Sequence, residues 1–174
     1  MLESLPLNGL AYLIGGLGIA AEWRAYWLSC GLAFRRWSAL AALLWAAQYG
    51  LLGAWTAGLT MAMTALRTVL TAGPSSRNSK HAMTGIFVAV FTGLTVLSWQ
   101  GPVSLLPAFA VINTTLALFY ADNQRMRMIL LASSAAWLAN DLYWQAWPAL
   151  VAEAVAILIN LKTIQRLRLS AAHT

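Results

Sequence analysis

The sequence predicts an all-α membrane protein with seven transmembrane helices, arranged as two parallel three-helix repeats joined by a linker helix. The first observation is composition: 60% of the 174 residues are hydrophobic and only 9% are charged, whereas a soluble protein carries about 25% charged residues. The second is a weak internal repeat, in which residues 34–71 align with residues 126–163 at a shift of 92. The third is one further apolar segment between the two copies.

The repeat consists of 9 identities in 38 positions, where roughly three are expected from so alanine- and leucine-rich a composition. It divides the chain into a first three-helix repeat (residues 1–73), a loop and linker helix (74–99), and a second three-helix repeat with a basic tail (100–174). The matching residues are Arg35, Trp45, Ala47, Ala54, Trp55, Ala57, Ala62, Leu66 and Thr71 in the first copy, and Arg127, Trp137, Ala139, Ala146, Trp147, Ala149, Ala154, Leu158 and Thr163 in the second.

Apolar runs of about 20 residues, the length that spans a bilayer, place the helices. The stretch 22–37 is the least defined, because Glu22 and Arg24 interrupt the first apolar run; it either extends the first helix or lies at the membrane interface. A single helix separates the repeats, so both have the same orientation. The expected helices are near residues 8–28, 37–54, 56–72, 82–98, 102–120, 128–146 and 148–166.

The basic residues predict the orientation, since Lys and Arg concentrate in cytoplasmic loops. With a periplasmic N-terminus and a cytoplasmic C-terminus, every Lys and Arg lies in a cytoplasmic segment or in the cytoplasmic half of a helix. Topology therefore explains the net charge of +6, and we expect no nucleic-acid partner. The basic residues are Arg24, Arg35, Arg36, Arg67, Arg77, Lys80, Arg125, Arg127, Lys162, Arg166 and Arg168.

The sequence lacks the signatures of catalysis and of metal binding. Cys30 is the only cysteine, and the two histidines, His81 and His173, have no partner at metal-ligand spacing. We therefore expect no enzymatic activity, cofactor or metal, and we interpret Cys30 as a packing residue. Residues 1–9 contain an acid and no Lys or Arg, which disfavours a cleavable signal peptide.

Two of the nine tryptophans, Trp45 and Trp137, fall at the midpoint of their predicted helices and at the same position of the repeat. A buried indole N–H needs a hydrogen-bond partner. These two side chains therefore either pack against a neighbouring helix or line a central cavity. The other tryptophans lie near helix ends, as in interfacial aromatic belts.

Polar residues accompany each of these tryptophans: Gln48 and Tyr49 in the first copy, and Asn140 and Asp141 in the second. Such groups are costly in lipid, so we expect them to face protein or water. The carboxamides either join helices by hydrogen bonds or contact a solute. Asp141 and Glu153 lie at similar depth on adjacent helices, where they either share a proton or a cation, or stand hydrated in an outer vestibule.

The two copies differ in chemistry where Tyr49 and Met61 of the first correspond to Asp141 and Glu153 of the second. Two halves that differ in this way would fit an asymmetric substrate, whose two ends differ in chemistry. We interpret this difference as chemical specificity held by the second copy.

The third predicted helix carries Thr60, Thr64 and Thr68 on one face, beside Arg67. Threonine in a membrane helix often bonds the carbonyl of its own backbone, so this stripe alone is a weak sign of a site. By its depth, Glu22 is the expected partner of Arg67.

A hinge is expected in helices one and five, where the shift of 92 places Gly15 opposite Pro107. Both residue types loosen a helix, although both are also common in membrane helices generally. The predicted substrate site comprises Trp45, Gln48, Asn113, Trp137, Asn140, Asp141, Glu153 and Asn160.

The arrangement of three helices, one linker and three helices, together with the segment LWAAQYG (residues 44–50), resembles the SWEET sugar transporters and the wider PQ-loop group. The resemblance implies a substrate held between the two three-helix units, against tryptophans that match Trp45 and Trp137. The sequence departs from that group at the sugar-binding Asn of the third helix and at the Pro-Gln dipeptide. These positions hold Thr60 or Met61, Ala152 or Glu153, and Pro107 followed by Ala108.

Nearly the whole chain also resembles the YgjV-type bacterial inner-membrane proteins. The matching segments are LLGAWTAG (51–58), ALRTVLT (65–71) and LLPAF (105–109), with Trp137 followed sixteen residues later by Glu153. This resemblance implies a multi-pass protein of the bacterial inner membrane, and it implies no particular substrate.

We therefore expect a transporter that moves a small polar metabolite by alternating access, as a uniporter or a proton-coupled carrier. The alternative is a receptor or assembly factor that uses the same fold to bind a peptide or a partner protein. The expected partners are the lipid bilayer and a small polar solute, and a homo-oligomer is compatible with the sequence.

Overall fold

The protein is a helical bundle in a computed structural model that describes residues 4–26, 28, 30–70, 76–121 and 123–171. Every regular element within these residues is helical, and they contain no strand. The prediction of seven helices is thereby confirmed. The elements are α1 (Ser4–Tyr26), α2 (Gly31–Leu51), α3 (Trp55–Leu70), α4 (Arg77–Leu97), α5 (Leu105–Tyr120), α6 (Asn123–Trp144) and α7 (Trp147–Ala171), with a 3₁₀ turn at Pro102–Ser104 before α5.

Some predictions concern residues outside the described part of the chain. They are the boundary between the first repeat and the linker at residue 73, the repeat match at Thr71, and His173. The same holds for the side chains of Arg166 and Arg168.

The stretch 22–37, which the sequence left open, belongs to two helices. Helix α1 continues through Glu22 and Arg24 as far as Tyr26, and α2 begins at Gly31, six residues before its expected start. Cys30 precedes α2 in an extended conformation and is exposed, so its interpretation as a packing residue is wrong. The two charged residues therefore lie inside α1, with Arg24 exposed and Glu22 half-buried.

Three of the helical segments are long and apolar enough, by length and composition alone, to cross a membrane: Arg77–Leu97, Pro102–Tyr120 and Trp147–Gln165. The remaining helices are shorter or more polar, because α3 has 16 residues and the others carry charged or carboxamide side chains. Several of those polar side chains are buried inside the bundle, among them Gln48 and Asn140. The mean hydropathy of such a helix includes these buried polar side chains, so its outer surface is more apolar than the mean value indicates.

Consecutive helices run in opposite directions between two ends of the bundle. The first, which we call the turn end, holds residues 52–54, 98–104 and 145–146, since the side chain of Gln100 hydrogen-bonds the backbone of Gly53 and Trp55. At the opposite end, His81 near the start of α4 contacts the hydroxyl of Tyr120 at the end of α5 at 2.7 Å. We call this the basic end, because the described Lys and Arg residues lie in its half of the bundle.

The repeat extends from sequence to backbone geometry. The two turns that follow α2 and α6 make equivalent hydrogen bonds, from the Ala54 N–H to the Tyr49 carbonyl at 2.8 Å and from the Ala146 N–H to the Asp141 carbonyl at 2.9 Å. Each turn also holds one residue in the left-handed region at the same repeat position, Gly53 with φ of 78° and Gln145 with φ of 54°.

The packing of the helices follows the same relation. Helix α2 lies against α1 and α3, α6 lies against α5 and α7, and α4 packs on α3 and α5. The two sets of three helices meet through α1 with α7 and through α3 with α5. A shift of 92 in residue number relates α1 to α5 and α3 to α7, so these two contacts join equivalent helices of the repeat.

Two glycines allow α2 to approach α1 closely. A Cβ atom at Gly15 would lie 2.3 Å from the Gln48 Oε1 atom and 2.8 Å from the Pro148 Cβ atom, and one at Gly18 would lie 3.2 Å from the Trp45 ring. Gly15 therefore has a packing role in this structure. Pro107 is buried in the first turn of α5, where a missing N–H removes no internal helix bond, and the hinge stays a prediction.

We predict that Gly15→Ala lowers the melting temperature of the purified protein, because the added methyl group overlaps the buried Gln48 side chain. Overpacking of this kind costs about 1–3 kcal/mol. Gly16→Ala is the matched control, since no atom lies within 4 Å of a Cβ atom there. Thermal unfolding in detergent measures both, and equal melting temperatures for the two variants would contradict the close contact.

Candidate functional site

Three pairs of repeat-related residues meet in the centre of the bundle, on α2 and α6. The pairs are Trp45 with Trp137, Gln48 with Asn140, and Tyr49 with Asp141, and all six side chains are buried. We call Gln48, Tyr49, Asn140 and Asp141 the polar layer. It lies within the last four residues of α2 and the last five of α6, close to the turn end.

Tyr49 and Asp141 form the central contact of the polar layer. The Tyr49 hydroxyl donates to the Asp141 Oδ1 atom at 2.6 Å, and the Asn140 Nδ2 atom lies 3.4 Å from the same oxygen. The Tyr49 ring stacks on that of Trp137, with centroids 5.8 Å apart and planes 18° apart. Charge-assisted hydrogen bonds of this length are strong, so this contact ties α2 to α6.

This contact gives a structural reason for one difference between the two copies. Tyr49 and Asp141 occupy equivalent positions of the sequence repeat and lie opposite each other. Two aspartates there would repel, whereas Tyr49 and Asp141 supply one donor and one acceptor. The inequality at this position is therefore explained by the contact between the copies, without an asymmetric substrate.

The polar layer also contains buried atoms without a hydrogen-bond partner among the described residues. They are both amide atoms of Gln48, the Oδ1 atom of Asn140 and the Oδ2 atom of Asp141. A buried polar group in this condition costs about 1–3 kcal/mol. The layer can therefore accept further polar partners beside the Tyr49 hydroxyl.

A cavity of about 210 Å³ extends from this layer between the two sets of helices. We call it the central cavity. Two carboxylates and two aromatic rings line it, together with hydroxyl groups and small apolar side chains. The lining residues are Glu22, Ser38, Ala41, Ala42, Trp45, Tyr49, Met61, Thr64, Thr68, Ala149, Ala152, Glu153 and Ala156.

The central cavity is elongated along the bundle axis. Its lining on α2 reaches from Tyr49 to Ser38, eleven residues apart, or about 16 Å at the helical rise. On α3 it reaches from Met61 to Thr68, which is toward the basic end. Its volume equals that of about seven water molecules in the liquid, so a small solute fits.

A second cavity of about 670 Å³, the side cavity, lies along α1, α6 and α7. Glu22 and Glu153 line both cavities. Asn160 lines the side cavity, where its Nδ2 atom donates to the Arg127 carbonyl at 2.9 Å and its Oδ1 atom accepts from the Arg127 guanidinium at 3.3 Å. Asn160 thus contacts Arg127 and lies outside the lining of the central cavity.

Glu153 lies in the wall between the two cavities. Its carboxylate lies near the Ser134 hydroxyl and within electrostatic range of Glu22 and Asp141. Its Oε2 atom is buried and has no hydrogen-bond partner among the described residues. Asp141 and Glu153 thus each have one buried carboxylate oxygen without such a partner.

The structure brings together most of the predicted site. Trp45 lines the central cavity and also packs on Gly18, so both interpretations of this side chain hold. Glu153 lines the cavity as well, and the polar layer with Trp137 adjoins it. Asn113 is half-buried on α5 and, like Asn160, is outside the described lining of the central cavity.

Sequence reasoning missed Glu22, Ser38 and Tyr49 as residues of the cavity. An acid inside an apolar run was the available signal for Glu22, and the repeat position opposite Asp141 was the signal for Tyr49. Ser38 carries no signal of its own, because a single serine in an alanine-rich helix is unremarkable in sequence.

The threonine stripe and Arg67 have mainly structural contacts. Thr60, Thr64 and Thr68 donate to carbonyls of their own helix at 2.8–2.9 Å, as the simpler interpretation expected. Arg67 is buried, and its guanidinium donates to the Thr115 hydroxyl at 2.5 Å and lies 5.7 Å from the centre of the Phe91 ring. Arg67 therefore joins α3 to α4 and α5.

We predict that Tyr49→Phe destabilises the protein by about 1–3 kcal/mol, because the buried Asp141 carboxylate loses its donor. Tyr143→Phe is the matched control, since Tyr143 is 63% exposed. A double-mutant cycle with Asp141→Asn, measured by thermal unfolding, should give a non-additive effect. Additive losses would show that the two side chains do not interact.

Comparison with known proteins gives one match. A family model described as Imp-YgjV, bacterial inner membrane protein, matches residues 9–171. No curated protein and no solved structure matches the chain. The match covers all seven helices apart from a few terminal residues, and it confirms the resemblance expected from LLGAWTAG, ALRTVLT and LLPAF. The chain therefore belongs to the Imp-YgjV family of bacterial inner membrane proteins.

Proposed function

We propose that the protein transports a small polar solute across the bacterial inner membrane by alternating access. The observation that carries this proposal is the central cavity, which lies between the two sets of three helices and adjoins the polar layer. A cavity in that position changes its access when the two sets move relative to each other.

The architecture that we propose is SWEET-like, with α1–α3 and α5–α7 as parallel units and α4 as their linker. The equivalent turns at Gly53 and Gln145 support it, as do the equivalent contacts of α1 with α7 and of α3 with α5. The two units are then related by an axis along the membrane normal, and alternating access is a rigid-body rocking of one unit against the other.

The conformation in this structure corresponds to a carrier closed at the turn end. Between the cavity and that end lies the polar layer, in which Gln48, Asn140 and Asp141 are at most 1% exposed. Opening toward the turn end separates α2 from α6 and breaks the Tyr49–Asp141 hydrogen bond. The unpartnered polar atoms beside it can then bind water, which lowers the cost of opening.

The proposed orientation places the basic end in the cytoplasm. The turn end holds no Lys or Arg, whereas Arg35, Arg36, Arg77 and Lys80 lie at or near the opposite end. Cytoplasmic loops are enriched in these residues. The start of α1 is then periplasmic and the end of α7 cytoplasmic.

We predict that an impermeant maleimide labels Cys30 in inside-out vesicles and leaves it unlabelled in right-side-out vesicles. Cys30 is exposed and lies at the basic end. The backbone N–H groups of Ala33 and then Leu32, at the start of α2, lower the pKa of its thiol. The thiolate fraction at neutral pH is therefore larger than for an ordinary cysteine, which favours labelling.

The matched control for this labelling is Gln145→Cys combined with Cys30→Ser, because Gln145 is exposed at the turn end. The control should be labelled from the opposite side. Labelling of both variants from the same side would overturn the proposed orientation.

We predict that Trp45→Ala and Glu153→Gln each reduce the initial rate of solute exchange in proteoliposomes about tenfold or more, since each removes a contact in the central cavity. A thermal-shift screen of sugars, nucleosides, amino acids and amines selects the solute, and counterflow measures its exchange. Trp99→Ala is the control, because Trp99 is half-exposed at the turn end. Binding without exchange in wild-type vesicles would favour a receptor and overturn transport.

A further inference from the structure

We propose that the central cavity binds a small protonated alkylamine, with Glu153 as the counter-charge and Trp45 and Tyr49 as the aromatic wall. The inference that such an amine is the transported substrate rests on the proposed transport function. The inference that the amine binds depends only on the cavity.

Charge is the first argument. The described lining contains two carboxylates, Glu22 and Glu153, and no Lys, Arg or His. A buried carboxylate is costly unless a cation or several donors compensate it. The buried Oε2 atom of Glu153 has no hydrogen-bond partner among the described residues. An ammonium group supplies both the missing donor and the missing charge.

Hydrogen-bonding capacity is the second argument. The hydroxyl protons of Thr64 and Thr68 are donated to carbonyls within α3 at 2.9 and 2.8 Å, so these hydroxyls offer lone pairs to the cavity. The Tyr49 hydroxyl proton is likewise donated, to Asp141. In the described lining, these acceptors and the two carboxylates outnumber the remaining possible donors, which are the Trp45 indole N–H and the Ser38 hydroxyl. A solute with several N–H groups fits this lining better than a carboxylate, a phosphate or a quaternary ammonium ion.

Shape and polarity are the third argument. The rings of Trp45 and Tyr49 line the cavity, and aromatic faces attract cations. The rest of the wall is formed by small or apolar side chains that suit methylene groups, namely Ala41, Ala42, Met61, Ala149, Ala152 and Ala156. The volume of about 210 Å³ limits the solute to roughly seven non-hydrogen atoms, taking each as the volume of a water molecule.

An inorganic divalent cation fits less well. Within the described residues, no group of three or more His, Cys, Asp and Glu side chains could hold a metal ion. Divalent cations need about six oxygen ligands in defined geometry, whereas an alkylammonium ion needs only a few acceptors and an apolar wall.

The test uses n-butylammonium as the probe and the purified full-length protein in detergent. Binding is measured by isothermal titration calorimetry and by the shift in melting temperature. The neutral isostere 1-butanol, tetramethylammonium and Mg²⁺ serve as comparison ligands. We expect saturable binding of n-butylammonium, with weaker or no binding of the other three.

Glu153→Gln should weaken the affinity for n-butylammonium about tenfold or more, because a charge-assisted hydrogen bond is lost. Glu153→Asp, which keeps the charge, should retain part of the affinity. Trp45→Leu should weaken it about three- to tenfold through loss of the cation–π contact. Trp99→Leu, at a half-exposed tryptophan outside the cavity, should bind as wild type, and the melting temperature without ligand confirms that each variant is folded.

Equal affinity of the wild type and a folded Glu153→Gln variant would overturn the inference. So would absence of n-butylammonium binding, or tighter binding of 1-butanol or Mg²⁺. Measurements of flux in vesicles distinguish the amine-binding inference from the proposed transport function. Exchange of a neutral solute without amine binding would reject the amine as the ligand and would still support transport. Amine binding that depends on Glu153, without any flux, keeps the site and rejects transport.

Discussion

The hydrogen bond between Tyr49 and Asp141 is the interaction on which the centre of the structure depends. In the buried interior of a bundle, a carboxylate must be compensated by donors or by charge, and here a donor 2.6 Å away comes from the other copy of the repeat. Tyrosine on one helix and aspartate on the other form a complementary pair at a position where two identical residues would not. The two copies of the repeat therefore differ in residue type at the position where they contact each other.

Close packing on one side of this contact and small side chains on the other create the cavity. Gly15 and Gly18 let Gln48 and Trp45 enter the surface of α1, so α2 lies close to its neighbour. On the opposite side, alanines of α2 and α7 leave space that no large side chain fills. The polar layer closes one end of that space, and Glu22, Ser38 and Thr68 line it toward the basic end.

A transporter and the acceptor-rich cavity are compatible for a physical reason. A carrier must bind its solute strongly enough to select it and weakly enough to release it. The Oε2 atom of Glu153 has no hydrogen-bond partner among the described residues, and the aromatic wall would add a contact without fixed geometry. Such a site would bind a cation without enclosing it in a rigid set of ligands. Membership of the Imp-YgjV family places the protein in the bacterial inner membrane.

The sequence by itself determined the seven helices, the repeat and the depth of the polar residues, because apolar length and the shift of 92 depend only on order along the chain. It therefore identified Trp45, Asp141 and Glu153 as central. Only the tertiary structure decided which side of each helix faces the cavity. Lipid and protein interior are both apolar, so the pattern of hydrophobic residues gives little information about rotation around the helix axis. For that reason Glu22 and Ser38 were missed, and Asn113 and Asn160, which were assigned to the site, are outside the described lining of the central cavity.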